Sequence, residues 1–146
     1  MKQILFIFGF LFLAAFSSKA QEFPKNAIGL RIGTSEGFGA SISYQRKLKE
    51  RNRLEVNLGL QKLNELKASG LYQWVWKLEN QFNWYAGIGA GIYSTSQSSL
   101  FLASGIGVEY HFTSPFLIAI DFRPEFSLDQ GIGFQSEIAI SMRYRL

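Results

Sequence analysis

The sequence predicts an all-β chain of eight antiparallel strands in up-and-down order, closed into a transmembrane barrel and preceded by a cleaved leader. Three observations predict it. Apolar and polar residues alternate with a period of two from end to end, the polar partners are small or balanced in charge, and Trp and Tyr gather at one end of the strands.

Residues 1–20 read as a secretory signal peptide, leaving 21–146 as the barrel domain. Lys2 supplies the positive start, Ile4 to Phe16 the apolar run, and Ser18 and Ala20 the small residues that place cleavage after Ala20. That run is shorter than the ~20 apolar residues of a spanning helix. No Cys follows the cut, so a lipid-anchored form is excluded.

Side chains along a strand face opposite ways in turn, so a period of two gathers the apolar residues of a segment on one face. Ile28, Leu30 and Ile32 alternate with Gly29 and Arg31, and Phe38, Ala40, Ile42 and Tyr44 with Gly39, Ser41, Ser43 and Gln45. Leu54 to Leu60 alternate with Glu55 to Gln61, and Tyr72, Trp74, Trp76 and Leu78 with Gln73, Val75 and Lys77. Trp84 to Ile92 alternate with Tyr85 to Gly91, and Leu102 to Phe112 with Ala103 to His111. Phe116 to Phe122 alternate with Leu117 to Arg123, and Ile138 to Leu146 with Glu137 to Arg145. Turn-forming clusters separate them: Thr34 to Gly37, Lys49 to Asn52, Asn64 with Glu65, Glu79 with Asn80, Ser94 to Ser99, Thr113 to Pro115, and Asp129 to Gly131. No segment has helical spacing, so nothing covers the sheet edges, and closure of the last strand on the first removes them.

Alternation alone also fits a soluble, lipocalin-like carrier with the faces inverted. The polar face decides against it. Gly87, Gly89, Gly91, Gly105, Gly107, Ala119, Ala139 and Ser141 suit a narrow interior rather than a watered surface. The charges among them (Arg31, Glu55, Glu109, Asp121, Arg123, Glu125, Glu137 and Arg143) are nearly balanced, as enclosed charges must be. With both termini in the periplasm, Tyr44, Trp74, Trp76, Trp84, Tyr110 and Tyr144 form a belt at the periplasmic end, with Phe38, Phe122, Phe126 and Phe134 at the other.

Hydrophobic residues make up 47% and charged ones only 18%, below the roughly 25% of a soluble domain. Without Cys there is no disulfide and no thiolate chemistry. The residues after the leader carry 13 basic against 11 acidic groups with no Lys/Arg run or basic stripe, so no nucleic-acid partner is expected.

The ending Ile138-x-Ile140-x-Met142-x-Tyr144-Arg145-Leu146 resembles the terminal strand of bacterial outer-membrane proteins, with Leu146 where that family more often has Phe. In length and strand count the chain resembles the small OmpA/OmpX-type barrels. The resemblance implies export by the secretory pathway to the outer membrane of a Gram-negative-type bacterium. It also implies outer-membrane lipids as surroundings, and recognition of Ile138 to Leu146 by the barrel-assembly machinery. A monomer is expected.

No catalytic, cofactor-binding or metal-binding residue is expected. His111, the one His, with Thr113 and Ser114 is similar to the His-x-Ser of lipid A deacylases. The match is His-x-Thr, however, and parity turns His111 toward the lumen near Glu109. Asp121 with Glu125, and Glu55, Glu109 and Glu137 read as neighbouring in the sheet, are carboxylate groups expected to form salt bridges with Arg31, Arg123 and Arg143. The glycines of Gly87 to Gly91 and Gly105 to Gly107 lie within strands and open no helix, so no phosphate loop is expected. The function read from this is a non-enzymatic integral barrel with an envelope-structural or partner-contact role. The alternatives are a lipid-modifying barrel using His111 and the lipocalin-like carrier.

Overall fold

A computed structural model describes residues 24–34, 38–61, 65–94, 96–129 and 133–146. The leader and its cleavage site lie outside these residues, as do Gly37, Asn64 and Gly131 of the expected turns. Eight strands follow in order: β1 (Asn26–Thr34), β2 (Phe38–Lys47), β3 (Asn52–Gln61), β4 (Glu65–Lys77), β5 (Phe82–Ser94), β6 (Ser98–His111), β7 (Phe116–Ser127) and β8 (Phe134–Arg145). Each pairs antiparallel with the next, and β8 closes on β1 from Ala27↔Arg145 to Thr34↔Ile138. The expected closure is met, and none of the eight described strands leaves an open edge.

The register staggers the strands. From Ile28, near the start of β1, successive partners are Tyr44, Val56, Gly70, Ala90, Leu102, Phe126 and Phe134, at the far tip of β8. This stagger tilts the strands against the barrel axis. On the rim where β8 ends, three connections close alike: Leu48 N donates to Asn52 O at 2.9 Å, Leu78 N to Phe82 O at 2.9 Å, and Phe112 N to Phe116 O at 3.0 Å. This rim is called the C-terminal rim below.

Strand bounds differ from the expectation where alternation is blurred. β4 begins at Glu65 rather than Tyr72, because Ala68 and Gly70 face outward while Leu71 and Val75 face inward. Glu65 is therefore in a strand, not a turn. Ser94 pairs with Ser98, which narrows the expected Ser94 to Ser99 turn. β7 continues through Pro124, where the β6–β7 pairing lapses between Ala103↔Glu125 and Ile106↔Phe122. Proline has no N–H to give the ladder, and the register resumes unchanged beyond it.

The faces are those of a membrane barrel. Leu30, Ile42, Leu58, Ile88, Ile120, Ile138 and Ile140 point outward and are more than half exposed, while Glu55, Glu109 and Arg143 inside are 0% exposed. A lipocalin-like carrier requires the reverse. The interior also holds apolar groups: Val75, Tyr85 and Leu117, which the alternation placed on that face, and Leu71 and Phe101, which it did not name, are all at most 1% exposed. Outside, Trp76 stacks on Trp84 at 4.3 Å, and Phe82, Tyr110 and Phe112 continue the aromatic belt along the C-terminal rim. The opposite rim has Phe126 against Phe134 at 5.0 Å.

Gly107 makes room for Tyr85: a Cβ there would lie 2.5 Å from Tyr85 Cζ and Oη and 2.8 Å from Asp121 Cβ. Gly107→Val is expected to lower stability by about 1–3 kcal/mol or to block closure. Ile106→Val, on the lipid face beside it, should stay within about 0.5 kcal/mol. Urea unfolding in lipid vesicles, with heat-modifiable migration on gels, measures both.

Candidate functional site: an ion-filled lumen

The lumen is the concentration of polar chemistry in the molecule, and it is layered. Nearest the C-terminal rim, Glu109 (β6) faces Arg53 (β3), with Nη1 to Oε2 at 2.8 Å. His111 Nε2 lies 2.9 Å from Glu109 Oε1, and Asn83 Nδ2 donates to the same oxygen at 3.2 Å. Arg53 also donates to Gln73 Oε1 at 2.7 Å and rests over the Tyr85 ring at 4.8 Å.

At mid-height, Glu55 accepts from five side chains. Arg123 Nη2 (2.8 Å) and Asn57 Nδ2 (2.9 Å) reach Oε1, and Arg143 Nη2 (3.2 Å), Gln45 Nε2 (2.8 Å) and Gln73 Nε2 (3.0 Å) reach Oε2. Arg143 is held further by Ser43 Oγ, which accepts from its Nε and Nη2 at 3.0 and 2.8 Å.

Toward the opposite rim, Arg31 (β1) bridges Asp121 (Nη2 to Oδ1, 2.7 Å) and Glu137. Lys67 (β4) bridges Glu125 at 2.7 Å and Glu137 at 3.0 Å. Tyr93 Oη donates to Glu125 Oε2 at 2.5 Å. Among the described residues the wall thus encloses five cations (Arg31, Arg53, Lys67, Arg123, Arg143) and five carboxylates (Glu55, Glu109, Asp121, Glu125, Glu137).

These placements meet and correct the expectations. His111 faces the lumen beside Glu109, as parity implied, while Thr113 and Ser114 are exposed in the turn before Pro115. The arginine pairings are present. Glu55, Glu109 and Glu137 are not neighbours: they stand on β3, β6 and β8, and each serves a different set of cations. Across so narrow a lumen, side chains from opposite walls meet directly. Arg53 and Lys67 were missed because one precedes the clear alternation of β3 and the other lies in the blurred start of β4. Extending each alternation outward by parity would have found both. The two glycine runs lie within β5 and β6 and open no helix.

What remains open inside is small. A hollow of about 30 Å³ lies between Arg31, Asn57, Lys67 and Glu137, room for about one water. A vestibule of about 220 Å³ opens at the opposite rim, lined by Gln61, Glu65, Tyr93, Phe101, Glu125 and Gln135. Among the described residues no group of three or more His, Cys, Asp or Glu could hold a metal ion.

Charges beyond the lumen are unevenly shared. The C-terminal rim carries Lys25, Arg46, Lys47, Lys49, Arg51, Lys77 and Arg145 against Glu50 and Glu79, and the described residues of the other rim add only Glu65 and Asp129. The stretch Arg46-Lys47-Leu48-Lys49-Glu50-Arg51 already groups four of these cations, which the expectation of no basic run passed over, and closure of the barrel brings Lys25, Lys77 and Arg145 to the same rim.

The geometry has close counterparts. The N-terminal β-barrel domain of Pseudomonas aeruginosa OprF matches with a TM-score of 0.68 at 12% identity, over 84% of this chain and 100% of that one. The fold is that of the small eight-stranded outer-membrane barrels. Neisserial surface protein A matches over 83% of this chain and 95% of its own (TM-score 0.61, 14% identity). A de novo designed transmembrane β-barrel does so over 88% and 100% (0.67, 12%). No family model and no curated protein sequence matches the chain. At such identities the likeness is one of fold alone.

Glu55→Gln leaves Arg123 and Arg143 enclosed without their carboxylate, and is expected to cost about 3–5 kcal/mol. Asp129→Asn, in an exposed turn, should change stability by less than about 0.5 kcal/mol. Urea midpoints in vesicles compare the two directly.

Proposed function

We propose that the protein is an integral outer-membrane barrel without enzymatic activity, acting in envelope structure or as a contact surface for partners. One observation carries the reading: polarity is inverted, with an apolar exterior around paired ions. Such a surface is stable only against lipid, since backbone closure and internal ion pairing leave nothing polar on the wall to be satisfied from outside. The fold shared with outer-membrane barrels supports that membrane as the location, reached by secretory export with cleavage after Ala20. β8, with the terminal segment Ile138 to Leu146, closes the barrel and is the strand offered to the assembly machinery. The finished barrel is a monomer in outer-membrane lipid.

A lipid-modifying role for His111 draws no support from its position, which is turned inward and engaged by Glu109. A channel role draws none from an ion-filled middle whose hollow has room for about one water, the larger vestibule being confined to one rim.

The reading predicts extraction by detergent only, and heat-modifiable migration. Recovery as a soluble periplasmic monomer overturns it. His111→Ala is expected to leave the lipid A and phospholipid profile of cells unchanged, and an altered profile would establish catalysis. Planar bilayers should show no channel events.

A further inference from the structure

The basic residues of the C-terminal rim form an edge on one side of the barrel. Lys25 and Lys47 are joined by a backbone hydrogen bond, Lys47 N to Lys25 O at 2.8 Å. Arg46 pairs across the sheet with Asn26 and Leu54, and Lys49 and Arg51 lie in the β2–β3 turn with Glu50. By parity Arg46 faces outward in the column of Ile42 and Tyr44, so its cation stands on the lipid side at the aromatic belt. Leu48 beside it is 48% exposed.

Lys47, by the same parity, and Arg51 turn to the lumen mouth beside Gln45 and Arg53. The outward edge is therefore made by Arg46, Tyr44, the exposed Leu48 and Lys49 of the turn, and this set matches the boundary between acyl chains and headgroups. Aliphatic stems follow the apolar layer and the charges reach phosphate. We propose that this edge holds anionic phospholipid headgroups in the leaflet that contains the Trp/Tyr belt. An acidic partner in the aqueous phase fits less well, because Arg46 is directed to the lipid side rather than beyond the mouth. The inference rests on the membrane reading above.

Trp74 pairs with Asn52, next to Arg51, and so reports on this edge. The protein is inserted into phosphatidylcholine vesicles containing dibrominated phosphatidylcholine or dibrominated phosphatidylglycerol at equal mole fraction, and Trp quenching is compared. At low salt the anionic lipid should bind about fivefold more tightly, the ratio that one surface cation supplies. The preference should fade at high salt as the charges are screened. The double variant Arg46→Gln, Lys49→Gln should lose the preference while keeping heat-modifiable migration. Equal quenching by both lipids in the parent, or a preference retained by the variant, overturns the proposal. Failure to insert, with quenching by neither lipid, overturns the membrane reading and this one with it.

Discussion

The carboxylate of Glu55, fully enclosed and accepting from Arg123, Arg143, Gln45, Asn57 and Gln73, is the interaction on which the interior is organised. An eight-stranded tube is too narrow to hydrate an ion separately, so every charge inside has to find its counterpart across the lumen. The equal numbers of cations and carboxylates follow from that constraint. So does the choice of partners: the Glu55 pairs tie β3 to β7 and β8, strands that share no backbone hydrogen bond with it. The ladder makes the wall, and the ion pairs brace it from within.

Most of this architecture was legible because alternation is a direct readout of which way a side chain points. The last strand reads cleanly: Ile138, Ile140, Met142 and Tyr144 outward, Glu137, Ser141 and Arg143 inward. Legibility failed where the two faces exchange character. In β4, small Ala68 and Gly70 face lipid while Leu71 and Val75 fill the lumen, so the strand shows no clear apolar side before Tyr72. Lys67 was lost with it. Pairing across the lumen was illegible for a different reason: parity says that Glu55, Glu109 and Glu137 face inward, but only the stagger of the closed sheet decides at which height each arrives.

Fold likeness and role part company here. A designed barrel superposes as well as a natural one, which means that the shape answers to lipid and backbone chemistry before it answers to biology. What is particular to this chain is written in side chains that the shape does not require, such as the basic edge at the end of β2 and in the β2–β3 turn.

The strands are also unequal. β4, β5 and β6 have 13, 13 and 14 residues, whereas β1 has 9. Where the taller flank is apolar over its whole height, a sleeve meets a slab of uniform thickness by leaning or by thinning the slab beside its shorter flank, and the lipids there pack differently from those elsewhere around it. Where the extra rungs stand clear of the slab instead, they raise one side of the mouth above the bilayer, and the opening faces sideways.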